Sequence, residues 1–304
     1  MAISVGAEMQ VVYTVREDQV KDFESFYIEV VKDVADGENI TTVYSLANGN
    51  LEEKLTPNGE LAGYSATYTG IMANEMGDNF TATLYCVAED GTIHYGESVT
   101  SSMKSYLMEK LDDSTATPEL KALAVDMLNY GAAAQVNFDY DVENLVNADL
   151  TEAQKALGTN GVPSATDSSA VAGEGAKITA NVSLQNKVLL YVNCTYARTE
   201  ESDLEFVVKT ANGDVLERFA PSVETARICQ GVYGNVGARQ MREPITIELY
   251  DNGVLVSQTL TWSIESYVAQ TRTNNASSAS LIATVNAMLI YGDSAAAYLT
   301  ASGQ

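Results

Sequence analysis

The chain has 304 residues, with 17 lysines and arginines against 41 aspartates and glutamates, a formal charge of −24, and 46% of it is hydrophobic. That apolar content suffices for ordinary cores, and the length suggests two domains. A surface this acidic, with its basic residues scattered, repels phosphate backbones and anionic lipid, which argues against nucleic-acid and membrane-surface partners, and no run approaches the roughly 20 apolar residues that span a bilayer.

The first ten residues lack the basic and apolar regions of a signal peptide, yet a Met-Ala start running into strand is equally what a piece of a longer precursor shows. Period-2 alternation over Met9 to Val15 and Asn79 to Val87 predicts half-buried strands, with hairpin turns at Ala47-Asn48-Gly49 and Asp90-Gly91. The period then changes. A short helix is predicted over Val99 to Leu111, then a longer one in which Leu120, Leu123, Ala124, Met127, Leu128, Gly131, Ala134 and Phe138 fall on one stripe. Thr117, Pro118 and Glu119 open it as N-cap, first-position proline and acidic first turn. Residues 158–175, GTNGVPSATDSSAVAGEG, have linker composition. Strands are predicted again over Lys187 to Tyr196 and Pro244 to Tyr250, with turns at Asn212-Gly213 and Asn252-Gly253. A final helix carries Leu281, Val285, Met288, Leu289, Gly292 and Leu299.

The two halves align on each other. Ser98 to Phe138 lies without gaps on Thr259 to Leu299 at an offset of 161, matching Ser105 to Ser266, Tyr106 to Tyr267, Met127 to Met288, Tyr130 to Tyr291 and Gly131 to Gly292. Upstream, at an offset of 165, Tyr68, Ala73, Met76, Leu84 and Tyr85 meet Tyr233, Ala238, Met241, Leu249 and Tyr250. A period of one domain length predicts tandem copies. The expected fold class is therefore α+β: a β-rich, sandwich-like antiparallel module over 1–157, a linker over 158–175 and a second module over 176–304, each ending in a helical hairpin.

Residues for catalysis are scarce. The one histidine, His94, lies beside a turn and has no match in the second copy, so imidazole-based nucleophilic and metal sites lack their parts. Cys86, Cys194 and Cys229 show no C-x-x-C spacing and read as buried thiols, with a Cys194–Cys229 bridge as the alternative. Carboxylates do not persist between copies: Asp126 faces Ala287 and Asp112 faces Thr273. Asp139, Asp141 and Glu143 read as an acidic loop, with weak calcium binding as the other reading. The chain is expected to be no enzyme and to need no cofactor or metal.

Seventeen tyrosines against one tryptophan favour a binding surface, because tyrosine presents a large rigid area with a polar tip. Tyr85, Tyr106 and Tyr130 read as core from the repeat match. Tyr44, Tyr64, Tyr95 and Tyr196 lie near irregular segments, and Tyr44, Tyr64 and Tyr68 are the candidates for protein binding in the first copy. Arginine is concentrated in the second copy, where Arg227, Arg239 and Arg242 form the candidate site. Trp262 aligns with Ser101 at a structural position, which weakens an aromatic sugar platform.

The run LNYGAAAQVNFDYDVENLVN, Leu128 to Asn147, preceded by SYLMEKL, resembles a module recurring in large secreted or cell-surface proteins of gut commensal Firmicutes. The second copy, LIYGDSAAAYL, departs from it at Asp293 and lacks the glutamine. Some such proteins resemble immunoglobulin-binding B-cell superantigens, which grip antibody variable domains outside the antigen site. The resemblance implies an extracellular or wall-attached adhesin whose partner is a host protein, an antibody variable domain first. A carbohydrate-binding module of a fibre- or mucin-degrading system and a structural spacer are the alternatives.

Overall fold

The computed structural model describes residues 2–3, 9–35, 37–184, 188–225 and 227–303, with backbone alone at 2, 3, 223 and 224. The chain divides into two compact units, Met1–Gly158 and Thr159–Gln304. Both are mixed α+β with antiparallel strand pairing, and five α-helices occur among the described residues.

The first unit runs β1 (Ala2–Ile3), β2 (Met9–Arg16), β3 (Ser25–Lys32), β4 (Ile40–Ser45), β5 (Glu52–Leu55), β6 (Leu61–Ile71), β7 (Phe80–Val87), β8 (Ile93–Tyr95), β9 (Val99–Ser101), α1 (Met103–Asp112), α2 (Pro118–Phe138) and α3 (Glu152–Lys155). One sheet has the order β1-β2-β6-β5, the other β4-β3-β7-β8 with β9 also on β7. Alternation decides which face is buried: Val11, Tyr13 and Val15 of β2 and Phe26, Ile28 and Val30 of β3 are inside. The inner faces meet through Phe26 on Tyr64, ring centroids 5.0 Å apart, and Tyr68 on Phe80 at 4.9 Å. Glycine at 91 takes φ 82°, as the Asp-Gly turn requires.

The helical hairpin closes one end. Ser102 caps α1 by accepting from the Ser105 N–H, and Thr117 caps α2 by accepting from the Leu120 N–H. The short helix therefore starts at Met103, not at Val99. Val99 to Ser101 pair with β7 instead, because the β-branched Val-Thr pair suits a strand and the Ser102 cap fixes where helix begins. The Lys104 N–H donates to the Met76 carbonyl, and a Cβ on Gly131 would come within 2.9 Å of Met76 Sδ and 3.2 Å of the Ala73 carbonyl. Glycine there lets α2 lie directly on the β6–β7 connection. Beneath it Lys32, 3% exposed, sets its Nζ 2.6 Å from Glu75 and 3.4 Å from Asp78, and Asp78 accepts from the Tyr140 hydroxyl at 2.8 Å.

The second unit runs β10 (Ala170–Ala172), β11 (Ile178–Leu184), β12 (Val188–Cys194), β13 (Leu204–Thr210), β14 (Val215–Phe219), β15 (Val223–Glu224), β16 (Cys229–Tyr233), β17 (Ile245–Asp251), β18 (Val254–Leu255), β19 (Thr259–Trp262), α4 (Ile264–Thr273) and α5 (Ala279–Ser302). Its sheets are β11-β12-β16-β15 and β10-β19-β17-β13-β14, with β18 on β17. A Cβ on Gly231 would meet the Phe206 and Phe219 rings at 2.6 Å, so the sheets pack closely there. Lys187, the start of one predicted strand, lies outside the described residues. Cys194 and Cys229 are opposite each other on β12 and β16, fully buried and present as thiols; burial pushes the Cys194 thiol up to about 12.

Much of the stretch read as a linker is attached to the second unit. Ala170 to Ala172 pair with β19 as β10. Upstream, the Ser168 N–H donates to Ser266 Oγ at 3.1 Å, Arg272 donates to the Pro163 carbonyl at 2.8 Å and Arg242 to the Ser164 carbonyl at 3.0 Å. Small flexible residues are also those that can lie flat along a sheet edge and helix, which composition alone does not reveal.

Candidate functional site

Strand β3 carries apolar residues on both faces, and β7 beside it is apolar on its inner face. Inward go Phe26, Ile28, Val30, Phe80, Ala82 and Cys86, all buried. Outward go Tyr27, Glu29 and Val31 of β3, and Thr81, Thr83 and Tyr85 of β7, all half-buried. The register sets these in rows across the sheet. Ser45, Tyr27, Tyr85 and Tyr95 form one row. Val43, Glu29 and Thr83 form the next, and Thr41, Val31, Thr81 and Thr100 a third.

The tyrosine row is ordered by ring contacts. Tyr27 and Tyr85 stack with centroids 4.8 Å apart and planes 5° apart, and Tyr95 meets Tyr85 at 5.6 Å and 78°. Tyr95 is 71% exposed. The Tyr85 hydroxyl donates to Glu29 Oε1 at 3.1 Å, and that hydrogen bond to a carboxylate raises the Tyr85 phenol. Hydroxyl pairs complete the surface, Thr81 with Thr100 at 2.9 Å and Thr83 with Ser98 at 2.7 Å. Val43 and Ile93, 38% and 47% exposed, sit at its margins. At one end of the same unit a cleft of about 690 Å³ is lined by Val20, Lys21, Phe26, Leu46, Leu61 and Tyr64, and shares Tyr27, Val43 and Ser45 with this face.

The candidates read from sequence are placed differently. Tyr44 and Tyr68 are 7% and 8% exposed and belong to the core; burial raises both phenols, Tyr44 to about 12. Neither offers a partner any area, because both sit at inward positions of their strands. Tyr64 half-emerges into the cleft. Tyr85, expected in the core, faces outward, since position 85 has the parity of Thr81 and Thr83. Tyr196 donates to Asp251 Oδ2 at 2.8 Å.

The three arginines do not act together. Arg227 is exposed in the β15–β16 turn and Arg239 is exposed in the 3-10 turn Ala238–Gln240. Arg242 is held within its own unit: its Nη2 donates to Asp293 Oδ2 and its Nη1 to Glu265 Oε1, each at 2.8 Å, and the Asp293 hydrogen bond raises its pKa further. On the outer face of β13 and β17 an ion pair gathers around a single tyrosine, Tyr250. Lys209 Nζ lies 2.6 Å from Glu248 Oε2 and donates to the Tyr250 hydroxyl at 3.0 Å, while Thr259 donates to Glu248 Oε1 at 2.7 Å.

The signal for the tyrosine row was in the sequence. In Ser25 to Lys32, SFYIEVVK, apolar residues occupy both parities, which marks a strand covered on two sides or presenting one side to a partner. Asp139 and Asp141 take left-handed φ values of 54° and 43° after α2, and the described residues hold no group of three His, Cys, Asp or Glu placed to bind a metal ion. No helix is long and apolar enough to cross a membrane among the described residues. No protein-family model and no curated protein matches the chain.

Proposed function

We propose that the chain is a non-enzymatic binding protein of two tandem copies of one module, acting outside the cell or on its wall, and that the first copy holds a host protein on the outer face of β4, β3, β7 and β8. The Tyr27–Tyr85–Tyr95 row is the observation that carries the reading. Tyrosine is enriched where interfaces concentrate their energy, and this row is flanked on one side by the hydroxyls of Thr83 and Thr81. Tyr27 and Tyr85 cover each other's faces, so they offer edges and hydroxyls, which suit a polypeptide better than a sugar ring. The first unit carries 8 basic and 27 acidic residues, net −19, against 9 and 14, net −5, in the second, which favours a partner with a basic surface.

The tandem reading is supported by matched packing. Gly292 repeats Gly131, its Cβ position 2.7 Å from Met241 Sδ and 2.9 Å from the Ala238 carbonyl. The Glu265 N–H donates to the Met241 carbonyl as the Lys104 N–H does to Met76. Ser263 and Ser278 cap α4 and α5 where Ser102 and Thr117 cap α1 and α2.

Among host proteins the antibody variable domain is the first candidate, on the resemblance of the YGAAAQ helix. Capture from serum by the 304-residue chain, repeated with Tyr95→Ser and Tyr27→Ser, tests both parts. Recovery of antibody that falls with either substitution supports the reading; recovery unchanged by both moves the site elsewhere, and recovery of no antibody removes the immunoglobulin version. The glycan alternative draws on Tyr95, whose ring stands across Tyr85 and is largely exposed. A glycan-array signal lost with Tyr95→Ser alone favours that class.

A further inference from the structure

The strand that leads into the helical hairpin is interior in one unit and, among the described residues, an edge in the other. In the second unit β19 lies between β17 and β10, with Ala170 opposite Thr261, Val171 opposite Leu260 and Ala172 opposite Thr259. In the first, β9 pairs β7 through Ser101 with Phe80, Thr100 with Thr81 and Val99 with Ala82, and no strand among the described residues pairs its other side. Exposure follows: Leu260 is 6% exposed and Val99 56%.

The backbone of that edge is poised to pair. The Asp33 N–H donates to the Asn79 carbonyl, so odd positions of β7 address β3 and even positions address β9. Ser101 and Val99 are then spent on Phe80 and Ala82, and Thr100 turns its N–H and C=O outward. Beside it an open cleft of about 400 Å³ between the sheets is lined by Tyr13, Val15, Ala82, Leu84 and Val99. Main-chain groups that no strand among the described residues pairs, next to a cleft that also carries Gln19 and Glu97 on its wall, are a template for an added strand.

We propose that β9 takes up an extended antiparallel peptide strand of Ser-Ala-Val-Ala type, in the register β10 uses on β19, with a basic residue three positions before the first paired alanine. Alanine then lies opposite Thr100 and valine opposite Val99, on the side of the cleft. The basic residue follows from charge. In the second unit Gln270 Nε2 donates to Asp167 at 3.2 Å and to Ser169 at 2.8 Å, fixing the strand's approach along α4. The sequence match places Glu109, its side chain 71% exposed and 3.1 Å from Lys110 Nζ, where Gln270 stands; a surface pair of this kind is weak and leaves the carboxylate open to a second cation. A carboxylate there repels aspartate and attracts lysine. The register and this charge rest on the two-module reading; the outward groups of Thr100 and the cleft do not.

The test is fluorescence anisotropy with the whole chain and two labelled peptides, one copying Thr166 to Glu174 and one with Asp167→Lys. One equivalent of peptide binds, the lysine version roughly threefold tighter, as expected for one exposed ion pair. Thr100→Pro, which removes the outward donor without touching a β7 bond, and Val99→Lys each abolish uptake while circular dichroism stays native; Tyr95→Ser leaves it unchanged. In an Ala170→Pro chain, whose own β10 is displaced, a second equivalent binds to the β19 edge. No uptake by the native chain, or uptake insensitive to Thr100→Pro and Val99→Lys, overturns the proposal. If the native chain binds none but Ala170→Pro binds one, the β10 pairing is confirmed as transferable and β9 is not its counterpart, so the inference fails separately from the outer-face reading.

Discussion

The buried charges of the first unit make its stability depend on pH in a definite direction. Lys32 faces two carboxylates, Glu75 and Asp78, which are 6% and 7% exposed, with the Tyr140 and Tyr68 phenols close by. One cation cannot balance two buried anions. Burial is the main cause of an Asp78 carboxyl raised from its ordinary 3.8 to about 6, partly offset by the Tyr140 hydrogen bond and Lys32. A raised carboxyl means that the folded state binds the proton more tightly than the unfolded one, so its contribution is largest at low pH and is lost as pH rises through about 6. Between pH 7.5 and 5 this linkage is worth ~1.4 kcal/mol, or about 3–6 °C in the midpoint of a unit this size. Thermal melts of the native chain and of Asp78→Asn, followed by near-UV circular dichroism at both pH values, measure it. Relief of general acidic repulsion also favours low pH, but it acts on both proteins; the difference between them isolates Asp78. Equal pH dependence in the two would refute the charge count at this cluster.

The helix glycines give a second test. Gly292→Ala forces a shift against the Ala238 carbonyl at 2.9 Å and should cost ~1–2 kcal/mol net of the ~1 kcal/mol gained in helix propensity, whereas Gly131→Ala, whose nearest backbone atom is the Ala73 carbonyl at 3.2 Å, should cost less; urea titrations rank them. Arg242→Gln leaves Asp293 and Glu265 without their shared cation and releases the Ser164 carbonyl, so the second unit should lose about 1–2 kcal/mol and residues 163–172 should exchange amide hydrogens faster. Limited proteolysis of the native chain should cut at 160–162, ahead of the residues bonded to α4 and β19, and N-terminal sequencing of the fragments locates the cut.

Sequence alone carried the helical hairpins and the turns, because both are written locally. Thr117-Pro118 and the stripe through Leu123, Met127 and Gly131 need no distant partner to be recognised, and Gly49, Gly91, Gly213 and Gly253 take positive φ in their local turns. Alternation likewise gave the strand content of Met9 to Val15 and Asn79 to Val87. What it left open was every property set by what lies opposite. Tyr44 and Tyr85 are both strand tyrosines; pairing of β3 with β4 and β7 sends one into the core and the other to the outer row. Arg242 looked like a binding residue until the fold set Asp293, 51 positions away, against it. Residues 158–175 read as a linker, because the partners of its bonded part on α4 and β19 come from about 90 to 109 residues further along. Local backbone preference and side-chain period are properties of a few consecutive residues, whereas facing, burial and pairing depend on contacts that chain folding alone creates.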